Sequence, residues 1–358
     1  MHVRVQFYCS RRLVRTSKLM RGVPESCVGK AKNPSIYIIG ESVILIFSDA
    51  FDKHADLVCL KLDKLGAGYF RFNLDVDSLK NSYVLFEGNF WKIRQYNKTI
   101  KSNEITKAWA RRTFVEMTLE ETGINDAGFK IWKGEWNKTL IGIYCSLRKI
   151  TWLNKISNVY QAENKYLQME VAKCVGLNMP DLIVSNDKSE LIKFASNGEV
   201  VLKLMNQDFY EVGKGDYQGI YVNKINASDL SEFSESNENP IVVQKYVDKK
   251  YEVRYTYING KHLACRIESQ MSEVSKIDWR RYDIANTPHY KLAPPCDIVE
   301  KVNDLMRQLD LEYGALDFIV AKNGEWYFLE INTMGQWLWI EDLTELPISD
   351  EIVCFLTS

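Results

Sequence analysis

Tyr313 to Glu341 reads YGALDFIVAKNGEWYFLEINTMGQWLWIE, and the reading of the whole chain turns on how its two apolar runs pair. Asn323-Gly324 lies between them, and Asn-Gly is the strongest short signal for a two-residue hairpin turn. With that turn Lys322 faces Glu325, and counting outward along the ladder brings Asp317 opposite Glu330. Side chains two apart share a face of a strand, so Asn332 joins them. Two carboxylates and one amide oxygen then occupy one patch of sheet. Like charges directly opposite each other destabilise a sheet, and a hard divalent cation offsets that cost. An oxygen-only donor set suits magnesium that also holds substrate phosphates. The competing reading is an acidic, solvated hairpin face, and spacing does not separate the two.

Around this hairpin the chain is ordinary in composition. It has 358 residues, 46% hydrophobic and 26% charged, enough for two or three domains and a substantial core. The net charge of -1 creates no field that points to nucleic acid or an anionic membrane. No apolar run approaches the length of a bilayer span. The eight cysteines (Cys9, Cys27, Cys59, Cys145, Cys174, Cys265, Cys296 and Cys354) contain no C-x-x-C pair and read as buried thiols of a cytoplasmic protein. His2, His54, His262 and His289 are too dispersed for a zinc site. The N-x-S/T matches at Asn97, Asn137 and Asn226 read as accidental. The first forty residues carry eight Lys or Arg against a single acid, Glu25. No apolar stretch follows those charges as a secretory signal requires. The segment reads as a disordered tail or a non-native extension rather than a transit peptide or RNA-binding arm.

The chain divides into this basic tail (1–40), a small α/β domain (41–150) and two lobes (151–240 and 241–358). Strand Ser42–Ser48, helix Asp49–Leu65 with Ala55, Val58, Cys59 and Leu62 on one side, and strand Tyr69–Leu74 make a β-α-β opening. It lacks the G-x-G-x-x-G of a dinucleotide site. Tyr83–Ile105 reads as hairpins, and AWARR at Ala108–Arg112 resists assignment. A helix is expected over Tyr160–Val175, ended by Gly176. Strands at Leu182–Ser185 and Val200–Leu204 flank a helix over Ser189–Ala195. Strand Ile220–Ile225 follows, and Ser231–Pro240 reads as a loop between lobes. In the second lobe a strand begins at Ile241, Tyr251–Ile258 and Lys261–Ser269 form a hairpin turning at Asn259-Gly260, and Asp297–Leu309 is a helix burying Ile298, Val302, Leu305, Met306 and Leu309.

Several features suit phosphate. Lys203 ends the apolar run VVLKL, and a buried ammonium needs an anionic partner. Lys165 lies on the preceding helix. Gly213, Gly215 and Gly219 let backbone amides approach phosphate oxygens, although turn punctuation is the commoner use of such glycines. Arg254 lies mid-strand on the same face as Glu252, either a solvated sheet residue or a clamp on a transferring phosphoryl group. No kinase D-F-G with H-R-D, no G-x-S-x-G elbow and no nucleophilic cysteine context is present.

The order of lysine, strand lysine, glycine loop, QKYV, an EVR strand, then D and E-x-N resembles an ATP-grasp ligase, and more closely the microviridin-type peptide maturases, the graspetide synthetases. FLEIN followed by GQWLWIE is the most specific part. YVNKI (Tyr221–Ile225), VVQKYV (Val242–Val247), IESQ (Ile267–Gln270) and DWRRYD (Asp278–Asp283) support it, from about Asn158 to the C-terminus. The preceding α/β segment is similar to a pre-ATP-grasp domain in outline. The resemblance implies an α/β (α+β) ATP-grasp fold of two lobes. Asp317, Glu330 and Asn332 would ligate two magnesium ions on ATP, and Lys165 and Lys203 would contact phosphates. Gln244, Tyr246 and Val247 belong to the inter-lobe linker that would meet adenine through its backbone, with Asp248 or Glu252 near the ribose. Arg254 would stabilise the transferring phosphoryl group, and Asp278 and Arg280 would handle the substrate peptide.

The implied chemistry is ATP-dependent macrocyclisation of a ribosomally made precursor peptide carrying a leader. An Asp or Glu side chain becomes an acyl phosphate, and a Ser or Thr hydroxyl or a Lys amine displaces the phosphate to close an ω-ester or ω-amide ring. Asp208–Gly219 is the expected lid, His289 or Asp278 the options for a base, and Trp337 and Trp339 are expected in the core. A homodimer is compatible with the family. The alternatives are an ATP-grasp ligase that adds an amino acid to a peptide or protein terminus, and a leader-binding module without catalysis.

Overall fold

The computed structural model describes residues 42–358 apart from 206–208, 214–215, 220–221, 234–235 and 282. The basic segment 1–40 lies outside the described residues. β1 (Val43–Ser48) is buried at five of its six positions, as suits the centre of a parallel sheet. Asp52 caps α1 (Lys53–Leu65) by accepting from the amides of His54 and Ala55, which starts the helix four residues later than Asp49. Ala55, Val58, Cys59 and Leu62 form its buried stripe, and Gly66 ends it at φ +67. β2 (Tyr69–Asn73) lies parallel to β1. After α2 (Val76–Lys80), β3 (Ser82–Glu87), β4 (Phe90–Gln95) and β5 (Lys98–Lys101) form an antiparallel three-stranded sheet. β6 (Ile105–Ala110) returns to pair with the other side of β1, so AWARR is the end of a central strand and the turn beyond it. α3 (Leu119–Thr122), α4 (Ala127–Ser146) and β7 (Thr151–Trp152) complete this part, with sheet order β2-β1-β6-β7.

Two helices replace the one expected over Tyr160–Val175. α5 (Ile156–Ala162) stops because the Asn164 side chain caps the amides of Tyr166 and Leu167 and starts α6 (Lys165–Cys174). β8 (Leu182–Asp187), α7 (Lys188–Ala195) and β9 (Val200–Lys203) follow. β10 (Phe209–Gly213) and β11 (Asp216–Gly219) form a hairpin of their own; Asp208 and Gly215 of the expected lid lie outside the described residues. Then come β12 (Asn223–Ile225), α8 (Ala227–Ser231) and β13 (Ser236–Lys245). β13 pairs with both β8 and β9, so Ser231–Pro240 is not wholly a loop. A register shift between Ser236 and Ile241 carries the polar SNENP stretch within the strand. Strand pairing places Ile241–Lys245 in the sheet β12-β9-β13-β8, and the chain leaves it at Tyr246–Asp248.

β14 (Lys249–Ile258) and β15 (Lys261–Ile267) turn at Asn259 (φ +43) and Gly260 (φ +81), with Ile258 opposite Lys261, as the Asn-Gly signal requires. β16 (His289–Leu292), α9 (Cys296–Gln308), β17 (Tyr313–Ala321), β18 (Trp326–Asn332), α10 (Leu338–Thr344) and α11 (Ile348–Thr357) complete the chain, and the last sheet has the order β16-β15-β14-β17-β18. α9 buries the five residues expected of it. A single apolar cluster joins Ile44 and Ile46 of β1 to Ile258, Cys265, Trp337 and Ile352, so the N-terminal sheet and the last sheet share a core. Among the described cysteines only Cys59 and Cys265 are buried; Cys145, Cys174, Cys296 and Cys354 are exposed because their helix positions face solvent. No helix of the described residues is long and apolar enough to cross a membrane.

β18 is an edge strand, and an unpaired edge leaves orphan amides and carbonyls. Here side chains act as the missing strand. Gln168 accepts from the Ile331 amide at 3.0 Å and donates to its carbonyl at 2.9 Å. Glu163 accepts from the Thr333 amide at 2.9 Å, and the Phe328 amide donates to the Asn178 carbonyl at 2.8 Å. Gln168→Ala leaves both polar groups of Ile331 buried without partners and should lower unfolding free energy by about 1–3 kcal/mol in urea titrations; an unchanged midpoint would show that the edge is satisfied otherwise.

Candidate active site

The terminal hairpin reaches its expected register by an unexpected route. The Ala321 amide donates to the Glu325 carbonyl and the Gly324 amide to the Ala321 carbonyl, each at 2.9 Å. The turn therefore holds three residues, with Gly324 at φ +89, and Lys322 does not face Glu325. The ladder runs Val320–Trp326, Ile319–Tyr327, Phe318–Phe328, then Asp317–Glu330, Leu316–Ile331 and Ala315–Asn332. Leu329 is the extra residue of a bulge that cancels the extra residue of the turn. Asp317 and Glu330 face each other as expected, with the Asn332 amide nitrogen 3.5 Å from Asp317 Oδ2.

Cations flank the opposed acids. Arg254 lies opposite Asp317 on β14, and its Nη1 reaches Oδ1 at 3.0 Å and Oδ2 at 2.9 Å. Lys165, the first residue of α6, places Nζ 2.9 Å from Glu330 Oε2. Burial pushes the Glu330 carboxyl up, but Lys165, Arg280 and Lys203 outweigh it and hold it at about 2. Asp317 shifts the other way: burial, reinforced by the Glu330 charge, raises it against the pull of Arg254. Burial lowers Lys203, opposed chiefly by Glu330. One acid therefore carries firm charge while its neighbour is poised to share.

Buried Asp278 pairs with half-buried Arg280, Nη2 to Oδ2 at 2.7 Å and Nε to Oδ1 at 2.9 Å, and the Val222 amide donates to Oδ2 at 3.2 Å. So tightly engaged a carboxylate is ill-suited as a base. His289 packs edge-on to Trp339, 5.6 Å between centroids, and Trp339 lies against Trp279 at 4.8 Å. Trp337 is fully buried, as a core residue. Glu252 is buried against Lys249, Nζ to Oε1 2.7 Å, whereas Asp248 is exposed and paired with Lys322 at 2.6 Å. Gln244 is buried in β13. The Tyr246 amide donates to the Glu199 carbonyl at 2.9 Å, and Lys224 Nζ sits 3.5 Å over the Tyr246 ring. Tyr246 and Val247 lie on the passage between the two sheets.

Two features fit a metal–phosphate ligand. Among the described residues no group of three His, Cys, Asp or Glu forms a protein-only cage, and two carboxylates with an amide oxygen form the set expected when phosphate and water complete the shell. Among the described residues the Nε of Arg254 is buried without a partner, a donor that an anionic oxygen would satisfy.

Residues 43–160 match the family model described as MvdD pre-ATP grasp domain. The chain is similar to a RiPP-associated ATP-grasp ligase of Chryseobacterium gregarium, solved in complex with ADP and a leader and core peptide, at 29% identity over 88% of this chain and 96% of that one, with TM-score 0.79. The chain resembles the graspetide synthetases among the ATP-grasp ligases. The macrocyclases MdnB and MdnC of Microcystis aeruginosa MRC, the latter bound with precursor peptide MdnA, are similar to this chain at 27% and 25% identity. Each match covers 88% of this chain and 99% of the other, with TM-scores of 0.71 and 0.77. No curated protein sequence matches the chain.

Sequence reasoning missed the supports of this candidate site. Gln168 and Glu163 lie on helices as ordinary polar residues, and no spacing rule links them to a strand more than 160 residues away. Arg111 and His54 bond the loop after Asn332, Arg111 Nη1 to the Met334 carbonyl at 2.6 Å and the Trp337 amide to His54 Nε2 at 3.2 Å. The only signal was two arginines ending an apolar run.

A pH prediction follows from Glu330. Its depressed folded-state pKa contributes stability that is full above the ordinary value of 4.5 and lost as pH falls toward about 2. Lys165→Met removes the largest depressing charge. The variant should lose less stability than wild type between pH 5 and pH 2 in urea titrations, and equal losses would show that Lys165 does not hold Glu330 down.

Proposed function

We propose that this ligase is an ATP-dependent peptide macrocyclase of the microviridin type, acting in the cytoplasm on a ribosomally made precursor peptide that carries a leader. The observation that carries the reading is the opposed Asp317–Glu330 pair with Asn332 beside it, flanked by Lys165 and Arg254. In this reading Asp317, Glu330 and Asn332 hold two magnesium ions. Bound there, magnesium neutralises phosphate charge and polarises the transferring phosphoryl group. Lys165 and Lys203 bind ATP phosphates. Gln244, Tyr246 and Val247 border adenine, and the buried Glu252 is favoured over the solvent-facing Asp248 for the ribose. Arg254 turns its unpartnered Nε to the phosphoryl oxygens.

The reaction has two steps. A substrate Asp or Glu carboxylate oxygen attacks the γ-phosphorus, the bond to the β-phosphate oxygen breaks, and ADP leaves. A Ser or Thr hydroxyl or a Lys amine of the same peptide then attacks the acyl carbon, loses its proton, and phosphate departs with the former carboxylate oxygen. Arg280, held by Asp278 and electrostatically coupled to Glu330 and Asp317, sits where a substrate carboxylate would gain charge stabilisation.

Incubation with a cognate precursor and Mg-ATP should remove about 18 Da per ring, one water per condensation. A gain equal to an amino-acid residue would instead establish the terminus-extending ligase. Glu330→Gln should lower ADP release by about 10²–10³-fold, and equal turnover by the variant would remove the metal-site assignment.

A further inference from the structure

The loop Thr333–Trp337 follows Asn332 directly, and its backbone is held by side chains from distant elements. Arg111 Nη1 donates to the Met334 carbonyl at 2.6 Å. The Tyr313 hydroxyl donates to the Gly335 carbonyl at 2.7 Å. Arg254 Nη2 donates to the Gln336 carbonyl at 3.2 Å. The Trp337 amide donates to His54 Nε2 at 3.2 Å. Four consecutive residues are thus fixed, one of them by the guanidinium that also grips Asp317.

Both N-terminal arms of this brace spring from Asp52. Its Oδ2 accepts from Arg111 Nε at 3.2 Å and its Oδ1 bonds His54 Nδ1 at 3.1 Å. A backbone amide can only donate, so His54 Nε2 is the acceptor and the ring proton sits on Nδ1, facing Asp52. The tautomer is set by the contacts. Arg111 and Asp52 are both almost wholly buried, and loop and guanidinium are in close contact. A Cβ on Gly335 would lie 2.7 Å from Arg254 Nη2 and 2.5 Å from the Ala315 Cβ.

We propose that Arg111, with Asp52 and His54, is a positioning residue for the ATP-dependent step, setting the loop Met334–Trp337 so that Arg254 presents its guanidinium to Asp317 and the transferring phosphoryl group. The proposal rests on the nucleotide reading above for its catalytic half, while the brace itself is a property of the fold. It gives the N-terminal α/β domain a part in the chemistry although none of its described residues bonds the carboxylate pair. A fork that bonds a carboxylate and a backbone carbonyl together is specific to arginine, since a lysine offers a point charge without that geometry.

The test uses the full chain with Arg111→Lys, His54→Leu and the acceptor-retaining His54→Gln. Amide hydrogen exchange at residues 334–337 should quicken by about tenfold in Arg111→Lys and His54→Leu, with β17 and β18 unchanged, and return toward wild type in His54→Gln. With Mg-ATP and the cognate precursor, kcat for ADP release should fall by about tenfold in Arg111→Lys while the KM for Mg-ATP stays within about threefold. Because Arg111 acts through Arg254, adding Arg111→Lys to Arg254→Lys should cost nothing further. Unchanged loop exchange overturns the brace. A loss in the double variant equal to the product of the single losses overturns action through Arg254. A wild-type chain that does not turn over Mg-ATP in the presence of its cognate precursor sinks the nucleotide reading instead, and the exchange result still decides whether the brace exists.

Discussion

Two carboxylates facing each other across adjacent strands are the constraint on which this structure depends. Unpaired, Asp317 and Glu330 would repel at close range in a partly desolvated site. The fold brings one cation to each, Arg254 from the neighbouring strand and Lys165 from the start of α6. The two acids are thereby made unequal, Glu330 held down at about 2 and Asp317 pushed up. Each acid thus has a cation beside it before any ligand arrives. A purely hydrophobic pair would pack as well or better, so the stability of the sheet does not account for the charges; in the proposed reading they serve a metal–polyphosphate ligand.

Much of the surrounding architecture keeps that pair in place. Among the described residues no strand pairs with the outer side of β18, and Gln168, Glu163 and Asn178 supply the bonds a further strand would make. Asn154 closes the other end, donating to the carbonyls of Tyr313 and Thr333 at 2.9 Å each. The core shared by β1, α11 and the last sheet lets the N-terminal domain act on the loop after Asn332. The acids thus rest on strands braced from both sides, while the chemistry proposed for them needs placement within a fraction of an ångström.

The legible parts were those set by local rules. The α1 stripe, the Asn259-Gly260 turn and the apolar face of α9 follow from periodicity and turn chemistry alone. The Asp317–Glu330 pairing was legible too, although the turn behind it holds three residues and a bulge at Leu329 restores the count; two departures from regularity cancel, and sequence spacing contains neither. Local rules failed where a single polar side chain overrode them, as when Asn164 split one helix into two. They failed again where tertiary pairing recruited a polar segment, as β13 did with Ser236–Pro240. The roles of Gln168, Arg111 and His54 depend on partners more than 160 residues distant, which no local pattern encodes.

The central claim is tested most directly by a crystal structure of this chain with magnesium and AMPPNP. The account predicts metal–oxygen distances of about 2.0–2.1 Å from Asp317, Glu330 and Asn332, with the Arg254 Nε within hydrogen-bond reach of a γ-phosphate oxygen. A nucleotide bound away from this hairpin, or metal held without any of the three side chains, would contradict it.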